Sequence, residues 1–163
     1  MSLRLEKFEA VARALVSFPP SAPAAPLASA APLHPFDSRN IHPDLQTKVR
    51  KLFDDGHFAQ STFEACKYLD KYVSKFSKIS ESGFKLMMAA FDKAKPKLQL
   101  TPLKTPSEID EQEGYRFIFA GGAWAIRNPR GHEFDVIDDP DTCLDHLSFV
   151  SMLLRRLEQA GYK

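Results

Sequence analysis

Three observations on this 163-residue chain predict an all-α fold. Apolar residues recur at three- and four-residue spacing through most of the length after residue 43. No stretch alternates apolar and polar residues long enough to defend a sheet. The breaks between the periodic stretches carry prolines at starts and glycines at ends, the usual asymmetry of helix termini. With 44% hydrophobic residues the chain can build one core. The expectation is a bundle of about five helices over residues 38–163, preceded by a tethered amphipathic helix.

Residues 1–18 supply that first helix. Leu5, Phe8, Val11, Ala12, Leu15 and Phe18 fall on one side, with Arg4, Lys7 and Arg13 facing outward. Glu6 and Glu9 argue against a targeting peptide, so the stretch reads as a helix that docks on another surface. Residues 19–37 are the linker, a proline and alanine tract expected to be extended and semi-rigid. A helix on such a tether points to engagement of a protein partner, or to covering a surface of its own domain.

His42-Pro43 opens the first domain helix, with Leu45, Val49, Leu52 and Phe53 as its stripe and Gly56 as its stop. A second helix, Ala59 to Lys78, turns Phe63, Cys66, Leu69, Tyr72, Val73 and Phe76 inward and Lys67, Lys71, Lys75 and Lys78 outward. A third runs from Phe84 to about Ala94, after Gly83, with Leu86, Met87, Ala90 and Phe91 as core. Pro96, Pro102 and Pro106 then bound a loop. The fourth helix is expected from Ser107, as cap with Asp110 three residues on, to Arg127. Its Gly114, Gly121 and Gly122 each cost about 1 kcal/mol in a helix interior, which close approach of a neighbouring backbone would offset. After an acidic loop, Pro140 and Asp141 open a last helix carrying Leu144, Leu147, Val150, Leu154 and Leu157.

Charge and cysteine usage narrow the function classes. A formal net charge of +1 exerts no global pull on a polyanion, so nucleic-acid binding has to come from a local patch. Charges do separate: residues 44–100 hold eleven Lys/Arg against seven Asp/Glu, and residues 101–145 hold four against ten. Cys66 and Cys143 lack metal-like spacing and read as buried thiols in a reducing compartment. No apolar run approaches membrane-spanning length, and the expected location is cytoplasmic.

The chemistry concentrates in Arg127-Asn128-Pro129-Arg130-Gly131-His132, after the apolar run Phe117 to Ile126. The proline should stop the helix and leave an arginine, an amide and an imidazole around one corner. Histidine exchanges a proton near neutral pH, and arginine presents a donor fork suited to phosphate. Together they suit metal-independent cleavage of RNA, in which the 2′-hydroxyl attacks its own phosphate. Arg127 would meet the phosphorane charge, Asn128 would position the phosphate or the imidazole, and His132 would move the proton; Arg130 would bind a neighbouring phosphate. One histidine does not easily make both proton transfers, so a homodimer that joins two corners is expected, and the glycines of the fourth helix suit close contact across a two-fold axis.

The same residues admit plainer readings. Arg127 can serve the helix dipole, Asn128 can be a stop before proline, and His132 can bond a loop carbonyl. Arg50 and His57 also stand as an arginine followed by a histidine. His132, Glu133, Asp135, Asp138 and Asp139 offer hard metal ligands at no spacing that fixes a geometry, so no metal or other cofactor is expected.

Arg127-Asn128 followed by His132, late in an all-helical domain, resembles the Arg/polar...His motif of the HEPN superfamily. More narrowly, His42-Pro43, Gly56-His57-Phe58, Ala65, Gly83 with Leu86-Met87, Gly114, Phe119 with Gly121, and Arg127-Asn128-Pro129 with His132 resemble the Ymh-type family of bacterial and phage-associated proteins. The resemblance spans about Ile41 to the C-terminus. It implies a dimerising helical bundle that acts as a metal-independent endoribonuclease in toxin–antitoxin, abortive-infection or antiviral systems. Arg127 and His132 match the catalytic pair and Asn128 the polar residue after the arginine. Some members of the superfamily instead keep the shape as dimerising or nucleotide-binding modules, which leaves a non-catalytic partner-binding protein as the competing class.

Overall fold

A computed structural model of the chain describes residues 33–133 and 135–163. The amphipathic helix expected over residues 1–18, and the linker as far as residue 32, lie outside the described residues. Within them the architecture is all-helical, with five helices of seven residues or more. In chain order these elements are α1 (Pro35–Ser38), a 3-10 turn (Pro43–Leu45), α2 (Lys48–Asp54), α3 (Phe58–Ser77), α4 (Gly83–Ala90), α5 (Pro106–Gly122), a π-helical turn (Ala123–Arg127), α6 (Asn128–His132) and α7 (Pro140–Gln159).

Helix α3 is the axis of the bundle. It packs on α7 along one side and on α2 and α4 along others, while α5 pairs with α4 and the π turn with α6 leads back across α3. Ala65, Leu69 and Val73 of α3 meet a core that includes Leu147, Val150, Leu154 and Leu157 of α7. Phe36 is fully buried beside Phe53, ring centroids 5.4 Å apart, so the packed unit takes in the end of the proline-rich tract.

Several local expectations are corrected by the backbone. The first domain helix divides into the 3-10 turn and α2, which lets His42 cap the turn by accepting from the Asp44 N–H. Helix α4 stops at Ala90 instead of continuing to Ala94, because Lys97 and Leu98 both donate to the Ala90 carbonyl and fold the chain back. Helix α5 is capped by Thr105 with Glu108, not by Ser107 with Asp110: Thr105 accepts from the Glu108 N–H and the Glu108 carboxylate accepts from the Thr105 N–H, with Pro106 in the first turn. The proline-bounded loop after α4 is held by Gln112 of α5, which is fully buried. It donates to the carbonyls of Phe91 and Leu98 and accepts from the Leu100 N–H. Three buried backbone groups are thereby satisfied without a strand.

The glycines of α5 do not meet a neighbouring backbone within the chain. Gly122 yields to the Phe149 ring, which would stand 2.6 Å from an added Cβ, whereas Gly114 and Gly121 face open space.

Candidate active site

The helix does not break at Pro129. It widens one turn earlier: the Asn128 N–H reaches five residues back to the Ala123 carbonyl, and helical geometry then continues through His132. A proline has no N–H for the ladder, and its ring strikes the carbonyl four residues back in an α-helix. A wider turn shifts that carbonyl and lets proline sit in the first turn of α6. The expected bend is therefore a bulge, and it re-aims the side chains that follow.

Asn128 and His132 are four residues apart and share one side of α6. Arg127 and Gly131 share the side toward α3. The Arg127 guanidinium lies over the Phe63 ring, with its carbon 5.6 Å from the centroid. A Cβ on Gly131 would stand 2.8 Å from the same ring, so glycine lets α6 approach α3 closely. Arg127 Nη1 donates to Asn128 Oδ1 at 3.1 Å, which couples the two faces.

The far end of Arg127 is set by a residue that periodicity did not single out, Asp70. Its carboxylate is buried in α3, where Oδ2 accepts from the Gly83 N–H at 3.0 Å and stands 3.8 Å from Arg127 Nε. Burial holds the Asp70 pKa above the usual carboxylate range, while the Gly83 N–H and Arg127 pull it back. Gly83 has φ +57, a left-handed conformation open to glycine at no steric cost, and that conformation turns its N–H onto Asp70. The signal in the sequence was an acid four residues after Cys66 and three before Val73, inside the apolar stripe of α3.

These contacts frame an open cleft of about 320 Å³. Arg127, Asn128 and His132 line it from one side and Ser82, Gly83, Phe84 and Lys85 from the start of α4, with Trp124 at the edge. His132 is exposed, and Arg127 keeps 22% of its side chain accessible. The structure thus brings together Arg127, Asn128 and His132. Arg130 is elsewhere: its Nε and Nη2 both bond Asp138, Nη1 donates to the Ile126 carbonyl, and it backs a separate recess near His57.

The other chemistry-bearing residues take structural tasks. Asp139 caps α7 by accepting from the Asp141 and Thr142 N–H groups. Cys66 and Cys143 are buried free thiols; burial first, then the Asp70 charge, pushes the Cys66 pKa up to about 12, and burial raises that of Cys143. Neither is poised as a nucleophile near neutral pH. Among the described residues no helix is long and apolar enough to cross a membrane.

A family model described as "Protein of unknown function (Hypoth_ymh)" matches residues 39–157. No curated protein and no solved structure matches the chain.

Proposed function

The chain belongs to the Hypoth_Ymh family, and from that premise and the cleft around Arg127 we propose that it is a metal-independent endoribonuclease of HEPN type, serving a toxin or antiviral-defence system. The observation that carries the reading is the meeting of a forked cation, an amide and an imidazole on one open cleft. His132 takes the proton of the 2′-hydroxyl, the 2′-oxygen bonds to the adjacent phosphorus, and the bond to the 5′-oxygen breaks. The products are a 2′,3′-cyclic phosphate and a 5′-hydroxyl, the latter receiving a proton from a second acid. Arg127 offsets the charge that grows on the phosphoryl oxygens. Asn128 gives its carbonyl oxygen to Arg127 and keeps its amide N–H groups for the phosphate.

A homodimer supplies the second imidazole. The exposed side of α5 supports that assembly, since Phe117 and Ile118 are exposed there and Gly121 leaves room for close approach. The same exposed side favours the second reading, a non-catalytic dimerising or nucleotide-binding module that engages a partner protein.

RNA cleavage in EDTA separates the two. The wild type is expected to cut, and His132→Ala, shown folded by circular dichroism, is expected not to. Growth inhibition on expression, relieved by Arg127→Ala, is the cellular counterpart. A folded wild type that leaves RNA intact at every concentration tried sinks the enzyme reading.

A further inference from the structure

Arg127, Asn128 and His132 leave one edge of the cleft without a task. That edge is aromatic, in a cleft that also holds cations. Trp124, three residues before Arg127, is 64% exposed. Phe84 backs it from the start of α4, with ring centroids 4.9 Å apart and planes inclined by 58°. Lys85, also exposed, lines the same cleft, and none of the residues lining it is acidic. An indole steadied on one side and largely bare elsewhere, in a cleft also lined by an ammonium and a guanidinium, offers a π-face to a base and positive charge to its phosphates.

We infer that Trp124 is the base-stacking residue of a single-stranded RNA subsite, seating the base next to the phosphodiester that Arg127 holds. The inference rests on the endoribonuclease reading for which bond is cut, and deepens it by naming the substrate class. A duplex keeps its bases stacked on one another and gives the indole no face to cover, so the cleft prefers single strands. A second copy of the chain is the rival occupant, because Trp124 lies seven residues after exposed Phe117 on the same helix. The acid-free, cationic lining favours the polyanion.

Trp124 is the single tryptophan of the chain, so its emission reports on this subsite alone. The full chain is titrated with a single-stranded 2′-O-methyl oligoribonucleotide, which cannot be cut by the proposed route, and with the matching duplex. Saturable quenching by the single strand is expected, with at least about ten-fold weaker binding of the duplex. By anisotropy of a labelled probe, Trp124→Ala should bind about ten-fold more weakly and Trp124→Phe within about three-fold of wild type. Equal affinity of a folded Trp124→Ala for the probe overturns the inference, as does loss of self-association in Trp124→Ala by analytical ultracentrifugation, which assigns the indole to a second copy. Quenching without any cleavage of unmodified RNA sinks the nuclease reading and leaves the subsite standing. Cleavage that persists unchanged in Trp124→Ala does the reverse.

Discussion

Arg127 and Arg130 stand three residues apart on one continuous run of helix, each beside a buried aspartate, and they are held in different ways. Arg130 gives Nε and Nη2 to the two oxygens of Asp138, the Nε bond at 2.7 Å, and Nη1 to the Ile126 carbonyl at 2.8 Å; only 9% of its side chain is accessible. Arg127 stands 3.8 Å from an aspartate already committed to the Gly83 N–H, gives one nitrogen to Asn128, and keeps more than twice that accessibility. A guanidinium with each of its three nitrogens bonded inside the protein braces the fold. One bonded through Nη1 alone, with Nε buried 3.8 Å from Asp70 and unbonded, is positioned and keeps Nη donors for an incoming anion. The contrast makes Arg130 the brace of the loop that leads into α7 and leaves Arg127 the residue proposed to face an anion.

The comparison predicts opposite splits between activity and stability. His132→Ala or Arg127→Ala should lower RNA cleavage by about 10²- to 10⁴-fold, read in single-turnover assays, with Arg127→Ala costing less in urea unfolding than Arg130→Ala because Asp70 keeps the Gly83 N–H. Arg130→Ala leaves Asp138 buried and unpaired. It should cost about 3–5 kcal/mol by the same unfolding measurement. Equal losses of stability in the two arginine variants would erase the distinction. Asp70→Ala strands the Gly83 N–H and frees Arg127 to swing, for a smaller loss of about 1–3 kcal/mol and a weaker grip on oligonucleotide, both measurable on one preparation.

The smallest effect is in pH. Burial raises the Asp70 pKa, so the folded chain holds that proton to higher pH than the unfolded chain does. In the window above the ordinary carboxylate value of about 3.9, the folded state therefore binds more protons, and the Asp70 contribution to stability falls as pH rises. Relative to Asp70→Asn, the wild type should gain stability between pH 7 and pH 4.5. A difference in unfolding midpoint that stays flat across that range contradicts the assignment.

Much of the fold was legible because periodicity and punctuation agree. The spacing of Cys66, Leu69 and Val73 places α3 within one residue of its observed ends, and Pro140 marks the start of α7. The candidate site could be named from the sequence as residues of one stretch, yet their geometry could not. Proline in isolation predicts a stop, and only the π turn, a choice of hydrogen-bond register with no residue of its own, explains how Pro129 is carried. Asp70 and Gln112 escaped for a related reason. Each is a polar residue on a buried face whose partners, Gly83 with Arg127 and the loop carbonyls, come from elsewhere in the chain and leave no local spacing to read.

The most direct test of the central claim places one 2′-deoxynucleotide at the cleaved position of an otherwise all-ribose strand, in EDTA. The all-ribose strand should be cut to a 2′,3′-cyclic phosphate and a 5′-hydroxyl, and the substituted strand should survive at that bond. Cleavage of both strands alike, or 5′-phosphate ends, would contradict attack by the 2′-hydroxyl at the Arg127 cleft.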